Sequence, residues 1–226
     1  MTSRKKTPLK RKPRAKGRPD ATGSVGPDLL IESARKVLQN TPPQALTLAA
    51  VAKQAGVHPA LVRYYFGGKD GLLTAVTRQL VEGEQDVVRP ALERDAPLEE
   101  KLAVRLRGMI ELIENNPHFH RLVLDQIYEK SAQKQDPSLL TRVTERGTAL
   151  TAALIASSKH QTTRSVDPRF LHIALIGLTE FFTTVQPLLE ELFGADADRA
   201  ALKEDYIHFL VDLMLHGLLL TSANPN

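Results

Sequence analysis

The sequence predicts an all-α fold, with a small N-terminal domain of three helices followed by a larger helical bundle. Apolar residues recur three and four positions apart along most of the 226 residues, which is the spacing of one face of a helix. No segment shows the sustained alternation of apolar and polar residues that is typical of a strand. The length suffices to bury two cores, which we place in residues 24–84 and 85–226.

A basic segment precedes the predicted helices. Residues 1–19 contain nine of the 30 Lys and Arg residues and no acidic residue, whereas residues 20–226 carry 21 basic and 26 acidic side chains, a formal charge of −5. The segment is rich in Pro and almost free of apolar side chains, so it cannot bury enough surface to offset the entropy of ordering. We therefore expect residues 1–22 to form a disordered arm.

The composition of the arm suits a nucleic acid. Lys16-Gly17-Arg18-Pro19 resembles the Gly-Arg-Pro core of AT-hook peptides, in which an arginine lies in the narrow minor groove of A·T-rich DNA. The alternative is a non-specific polybasic tail that adds salt-dependent affinity for phosphates. Under either interpretation the candidate contacts are Arg14, Lys16 and Arg18.

Residues 47 to 66 predict two short helices joined by a tight turn, the arrangement that places a second helix in the major groove of DNA. Thr47 suits an N-cap, and the first helix of the pair has an apolar face formed by Leu48, Val51, Ala52 and Ala55. Gly56 supplies the positive φ of a sharp turn, and Pro59 suits the first turn of the next helix. In that helix Val62 and Phe66 lie four residues apart and point inward.

The other faces of the second helix remain free to contact a duplex. An arginine can pair bidentately with a guanine edge, so Arg63 is the main base-reading candidate. Lys69 begins the following helix, where its ammonium and the free N–H groups of the helix N-terminus suit a phosphate. Small apolar side chains suit thymine methyl groups, and hydroxyl groups suit phosphates. The predicted DNA contacts are Thr47, His58, Pro59, Ala60, Leu61, Arg63, Tyr64, Tyr65 and Lys69.

The same segment resembles the N-terminal domain of the TetR family of bacterial transcriptional regulators, over residues 25–85. The chain departs from the family at Arg63, where the family most often has a tyrosine, and at Ala49 and Ala50, which offer a base no side-chain hydrogen bond. The family's phosphate contacts therefore transfer to this chain more directly than its sequence preference. The resemblance is carried by Thr47, Val51-Ala52, Ala55-Gly56-Val57, Pro59, Val62, Tyr65-Phe66, Lys69 and Leu72-Leu73.

Helical periodicity continues through the rest of the chain. Apolar stripes predict helices at residues 30–38, 72–80, 102–113, 119–127 and 140–154. Asn116-Pro117 stops the third of these, and the turn-like Asp136-Pro137-Ser138 precedes the fifth. Asp167-Pro168 begins a long apolar helix that continues to Val185, and another occupies residues 202–220.

The last two predicted helices have wide apolar stripes. Gly177 and Gly217 allow close approach of helix backbones, so we expect these helices to pack on their own bundle and on a second subunit. The alternative is that both stripes only complete the core of a monomer. Resemblance to the TetR family implies a homodimer. A two-fold dimer that holds its recognition helices about 34 to 36 Å apart predicts an inverted-repeat operator.

The resemblance also implies a repressor that a small-molecule effector releases from DNA. In that mechanism the effector binds between the middle helices and favours a bundle shape with the wrong spacing of recognition helices. The sequence does not identify the effector, and we expect no other cofactor. Candidate pocket residues, which combine apolar bulk with a few polar ends, are Met109, Phe119, Tyr128, His172, Phe181, Phe182 and Gln186.

Other classes of function lack support in the sequence. No nucleophile elbow, phosphate-binding glycine loop or His-Glu-x-x-His motif is present, so we expect no enzyme. His118 and His120 point to different faces of a helix, and no carboxylate lies at ligand spacing, so we expect no metal site. The apolar stretch at residues 209–220 is interrupted by Asp212 and is too short to span a bilayer. Together with the absence of cysteine, this predicts a cytoplasmic protein without a membrane role.

Three functions fit these observations. The favoured one is a TetR-like, sequence-specific transcriptional regulator that acts as a homodimer. The second is an architectural DNA-binding protein whose affinity comes mainly from the arm. The third is a helical ligand-binding or protein-interaction module whose helix pair no longer reads DNA. Removal of residues 1–19 separates the first two, because only a regulator keeps its sequence preference without the arm.

Overall fold

The computed structural model describes residues 26–133, 137–156 and 163–219, which excludes the predicted arm contacts Arg14, Lys16 and Arg18. The all-α prediction is confirmed, and the described ranges add only one isolated bridge, between Thr163 and Leu219. None of the helices in these ranges combines the length and apolarity needed to cross a bilayer. The helices are α1 Pro27–Leu38, α2 Leu48–Ala55, α3 Pro59–Phe66, α4 Lys69–Glu93, α5 Leu98–Glu114, α6 Phe119–Val123, α7 Lys130–Ala132, α8 Pro137–Ala156, α9 Pro168–Thr184, α10 Gln186–Phe193 and α11 Arg199–Leu218, with a 3-10 turn at Pro43–Ala45 and a π-helical turn at Leu124–Glu129.

The N-terminal domain consists of α1, α2, α3 and the first half of α4 around one core. The short helices α2 and α3 have eight residues each, too few for either to be stable alone in water. Packing of their apolar faces therefore holds the domain together. The side chains buried in this core include Leu30, Ala34, Leu46, Val51, Val62, Leu72 and Val76.

Helix α4 is continuous over 25 residues and belongs to both domains. Its first half supplies Leu72 and Val76 to the N-terminal core, and its second half supplies Val88 and Leu92 to the core of the bundle. The boundary that the sequence suggests between residues 84 and 85 lies inside this helix. At 1.5 Å per residue α4 extends about 37 Å, so a single rigid element connects the two domains.

The larger domain is a bundle of the second half of α4 with α5, α8, α9 and α11. Its core contains Leu102, Leu106, Ile110, Leu175 and Leu210. The sequence predicts two long apolar helices in this region, and the structure adds the short helix α10 between them. Pro187 explains the interruption, because a proline has no N–H group with which to continue the hydrogen bonds of α9.

A connector, residues 119–132, lies between the two domains. It runs without interruption from α6 through the π-helical turn to α7. Leu122 packs in the N-terminal core, whereas Ile127 packs against Val143 of α8. Polar contacts also join the connector to the start of α4, since Lys130 Nζ lies 2.7 Å from the Asp70 carboxylate. The connector therefore contacts both domains.

Candidate nucleic-acid interface and ligand cavity

The turn between α2 and α3 has the geometry that its residues predict. The hydroxyl oxygen of Thr47 accepts a hydrogen bond from the Ala50 N–H at 3.1 Å and so caps α2. Gly56 ends the helix with φ 68° and ψ 33°, in the left-handed region that favours glycine. The N–H of the following residue, Val57, donates to the Ala52 carbonyl at 2.9 Å and closes the turn.

Helix α3 is fixed at its start and along one face. The His58 ring accepts a hydrogen bond at Nδ1 from the Ala60 N–H, at 3.2 Å, and Pro59 occupies the first helical position. Val62 is fully buried, and Phe66 packs against the same core. These contacts determine which side of α3 faces outward.

The outward side of α3 presents most of the predicted DNA contacts. Arg63 and Tyr64 are exposed, the latter to 79%, and Tyr65 packs edge-to-face on Tyr64 with 5.2 Å between ring centroids. Pro59, Ala60 and His58 are also exposed. Leu61 differs from the others, because it is half-buried and packs against the domain core. The face that remains combines a guanidinium, two phenols and a small apolar side chain.

Lys69 lies at the start of α4 but already has an acceptor in the protein. Its Nζ donates to the Gln44 carbonyl at 2.5 Å, which ties α4 to the 3-10 turn before α2. A phosphate contact by this ammonium must therefore share or replace that hydrogen bond. Lys53 is an exposed cation on α2 that the helix-turn-helix spacing did not single out.

A second candidate site is a cavity between the helices of the bundle and the connector. Its volume is about 120 Å³, and it is partly open to solvent. Four of the predicted pocket residues, Met109, Phe119, Tyr128 and His172, line it. The other lining residues are Val81, Glu84, Gln85, Arg105, Leu112, Ile113, Val123, Ile127, Leu140, Val143, Thr144, Ile176, Thr179 and Glu180.

The remaining three predicted pocket residues do not line this cavity. Phe182 is buried and stacks on Tyr206, with ring centroids 4.1 Å apart. Phe181 is exposed, and together with Phe182 it lines a separate apolar groove between α9, α10 and α11. Gln186 donates to the carboxylate of Glu190 on the surface of α10. The apolar character of these residues was visible in the sequence, whereas the side of the bundle that they face was not.

A buried ion pair forms part of the cavity wall. Arg105 Nη1 donates to both carboxylate oxygens of Glu84, at 2.6 and 2.8 Å, and the two side chains are only 3% and 9% exposed. Neither residue was predicted, although a signal existed: Arg105 lies within the apolar stripe that contains Leu102, Leu106 and Met109. A charged side chain that lies within an apolar stripe faces the core together with the apolar residues around it, so it becomes buried.

His172 lies beside the ion pair and is almost fully buried. Burial, followed by the nearby positive charge of Arg105, lowers its pKa from 6.5 to about 4, so the ring is uncharged at neutral pH. Gly147 of α8 makes room for the ring, because a Cβ atom there would lie 2.6 Å from Cε1 and 2.7 Å from Nε2 of His172. Because Gly147 has no side chain, α8 and α9 can pack closely together beside the cavity.

The end of the cavity nearest the connector is also polar. Glu180 pairs with Nδ1 of His120, so His120 has a carboxylate partner on α9. Burial and the Glu180 charge raise the pKa of Tyr128, which keeps its phenol protonated. His118 occupies the N-cap position of α6. Among the described residues, no three His, Asp or Glu side chains are grouped as a metal site requires.

Comparison with known proteins agrees with the helix-turn-helix geometry. Residues 30–76 match the family described as bacterial regulatory proteins, tetR family. The chain is 46% identical over 54 residues to the HTH-type transcriptional regulator BetI 2 of Chromohalobacter salexigens, which covers 23% of this chain and 26% of that relative. It is 28% identical over 185 residues to the regulator BetI of Brucella anthropi, which covers 79% and 89% of the two chains.

A solved structure extends the similarity to the whole fold. The transcriptional regulator FadR from Bacillus subtilis superimposes with a TM-score of 0.60 at 20% identity, over 81% of this chain and 97% of that one. These relatives are regulators, which confirms the prediction that the chain is not an enzyme. Residues 30–76 thus match the tetR family of bacterial regulatory proteins, and over most of its length the chain is similar in sequence and in fold to transcriptional regulators.

Proposed function

We propose that this regulator is a homodimeric repressor that binds an inverted-repeat operator and is released from it by a small-molecule effector in the cytoplasm. The observation that carries the proposal is the exposed face of α3, where Arg63 and Tyr64 project from a helix whose opposite side is anchored by the buried Val62. Arginine is the side chain best suited to bidentate pairing with guanine in the major groove.

Exposed apolar residues on the last helices support the homodimer. Phe170, Ile173 and Phe181 lie along one side of α9 and are 59% to 74% exposed, and Phe209 and Leu213 on α11 are exposed to more than half. Apolar surface of this extent on adjacent helices suits contact with a second copy. A symmetric dimer presents two copies of α3, and an inverted repeat matches that symmetry.

The cavity supports an effector. It lies between helices rather than at the DNA face, and α4 contributes Val81, Glu84 and Gln85 to its wall. The same helix begins at Lys69, so a ligand that moves α4 also moves the DNA-binding domain. The structure of Bacillus subtilis FadR contains stearoyl-CoA, which gives a precedent for small-molecule binding within this fold. Coupling of this kind typically changes DNA affinity by about 1 to 3 kcal/mol.

Selection of bound sequences from random duplex DNA tests the operator. We expect an inverted repeat, and we expect Arg63→Ala to relax preference at one position of each half-site because it removes a base contact. Arg199→Ala, which removes the same charge from an exposed position at the start of α11, is the control and should leave the preference unchanged. Uniform weakening across all sequences by Arg63→Ala would instead assign Arg63 to a phosphate.

Sedimentation velocity tests the dimer. Ile173→Glu with Phe209→Glu places charges on the exposed faces of α9 and α11, and we expect this variant to be monomeric. Val87→Glu is the control, because Val87 is an apolar residue that is 80% exposed on a different helix, α4. A variant that remains dimeric would place the interface elsewhere.

A further inference from the structure

The charged groups at the buried end of the cavity, Glu84 and Arg105, neutralise one another. Glu84 and Arg105 form a buried pair in which a single guanidinium nitrogen donates to both carboxylate oxygens. A buried ion pair has no net charge to offer a third group, and removing either partner leaves the other charge uncompensated. The buried end of the cavity therefore presents a neutral surface.

The neighbouring polar side chains are also neutral or occupied. His172 carries no charge at neutral pH. Gln85 donates through Nε2 to the Val143 carbonyl at 3.1 Å and accepts from Arg146 Nε at 3.2 Å. Thr179 donates to the Leu175 carbonyl at 2.8 Å. These groups complete a polar end whose hydrogen bonds are made within the protein.

The rest of the wall is mainly apolar, and the remaining charge lies near the connector. Arg105 is paired with Glu84, so the described wall of the cavity has no unpaired guanidinium or ammonium with which to hold an anionic ligand, and the Glu180 carboxylate already contacts the His120 ring. One donor of this wall, the Arg105 Nε–H, is buried without an acceptor among the described residues. A hydroxyl or carbonyl oxygen suits such a donor. The apolar lining consists of Val81, Met109, Leu112, Ile113, Phe119, Val123, Ile127, Leu140, Val143 and Ile176.

From these contacts we infer that the cavity takes an uncharged, mainly apolar small molecule with a neutral oxygen-containing group. This inference rests on the proposed function, in which the cavity binds the effector. A ligand carboxylate would lose its hydration next to Glu84 and Glu180, and a ligand ammonium would lose its hydration next to Arg105. Neither loss is offset in the described wall, because Arg105 is paired with Glu84 and both lining carboxylates, Glu84 and Glu180, already have a partner in the protein.

Three probes that have the same eight-carbon chain but different head groups test the chemical class of the ligand directly. Octan-1-ol, octanoate and octylammonium are titrated into the purified full-length protein by calorimetry at pH 7. We expect octan-1-ol to bind at least about tenfold more tightly than either ion, because only the ions must give up charge hydration. Ile176→Trp fills the cavity and should abolish the binding. Tighter binding of either ion, or no binding by any probe, overturns the inference.

A change of specificity provides a second test. Glu84→Gln keeps an oxygen that can accept from Arg105 but leaves the guanidinium charge uncompensated. We expect octanoate to gain about tenfold in affinity relative to octan-1-ol in this variant. Glu82→Gln is the matched control, because Glu82 lies two residues away on α4, pairs with Arg142 and does not line the cavity. An unchanged preference in Glu84→Gln contradicts the inference.

A double variant keeps the test valid if Glu84→Gln folds poorly. Glu84→Gln with Arg105→Gln removes both charges, and we expect it to retain the preference for octan-1-ol. Loss of that preference in a folded double variant contradicts the inference. Selection of bound DNA sequences is measured separately on the same proteins. Failure of the inference about the ligand can therefore be told apart from failure of the proposed regulator function. Intact operator preference with tight octanoate binding refutes the ligand class alone, whereas octan-1-ol binding without operator preference refutes the proposed regulator alone.

Discussion

Gly56 determines how the recognition helix is presented, because its backbone adopts φ 68° between α2 and α3. We expect Gly56→Ala to lower the free energy of unfolding by about 1 to 2 kcal/mol, since an L side chain is strained in the left-handed region. Urea unfolding followed by circular dichroism measures the change. Gly83→Ala is the control: Gly83 is exposed within α4 with open space at its Cβ position, so alanine there should stabilise by about 0.5 to 1 kcal/mol. Equal effects of the two substitutions would contradict the prediction.

His172 makes stability depend on pH in a known direction. Its folded pKa of about 4 lies below the unfolded value of 6.5, so between these values the unfolded chain binds the proton and the folded protein does not. Stability is therefore full above pH 6.5 and falls as the pH decreases towards 4, by about 2 kcal/mol between pH 7 and pH 5. Urea unfolding at the two pH values should show this decrease. His172→Gln should reduce it by the same amount, and an identical decrease in both proteins would exclude His172 as its source.

At the scale of elements, the spacing of apolar residues predicted where the helices lie better than it predicted which helices pack against one another. Thr47, Gly56 and Pro59 specify the helix-turn-helix locally, and the structure places them at the cap, the turn and the first helical position. The cavity depends on which helices meet, so Phe181 and Met109 have the same apolar signal but line different spaces. The pair of Glu84 and Arg105 was missed because charged side chains are exposed on most helices.

Continuity of α4 is the structural basis for communication between the two domains. We expect Gly83→Pro to destabilise the protein by about 3 kcal/mol, because proline removes a hydrogen bond and clashes with the preceding turn. Operator affinity should also fall, since Leu72 and Val88 would no longer lie on one rigid helix. Gly83→Ala occupies the same open position without breaking the helix and serves as the control. Thermal unfolding and fluorescence anisotropy measure the two effects, and similar behaviour of both variants would show that a continuous α4 is dispensable.

For the whole molecule, charge is divided between the N-terminal segment and the remaining chain. Residues 1–19 carry nine positive charges, and their removal changes the formal net charge from +4 to −5. The remaining chain is therefore negatively charged overall, and this charge opposes binding to DNA, which is a polyanion. Only the few cations of the DNA-binding domain, such as Arg63 and Lys53, offset this repulsion near the duplex. This distribution suits a division in which the N-terminal segment adds general affinity and α3 adds sequence preference.

Removal of residues 1–19 tests that division. We expect weaker operator binding and a shallower dependence of affinity on salt, by about 0.9 in the logarithmic slope for each phosphate that the shortened protein no longer neutralises, with sequence preference retained. Fluorescence anisotropy with the selected operator and a scrambled duplex, at several salt concentrations, measures both quantities.

Replacing Arg14, Lys16 and Arg18 by alanine is compared with replacing Lys5, Lys6 and Lys10, which removes the same charge. Equal weakening by the two sets indicates a polybasic contact, and greater weakening by the first set at A·T-rich flanks indicates minor-groove binding. Disappearance of sequence preference on deletion would favour an architectural protein over a regulator.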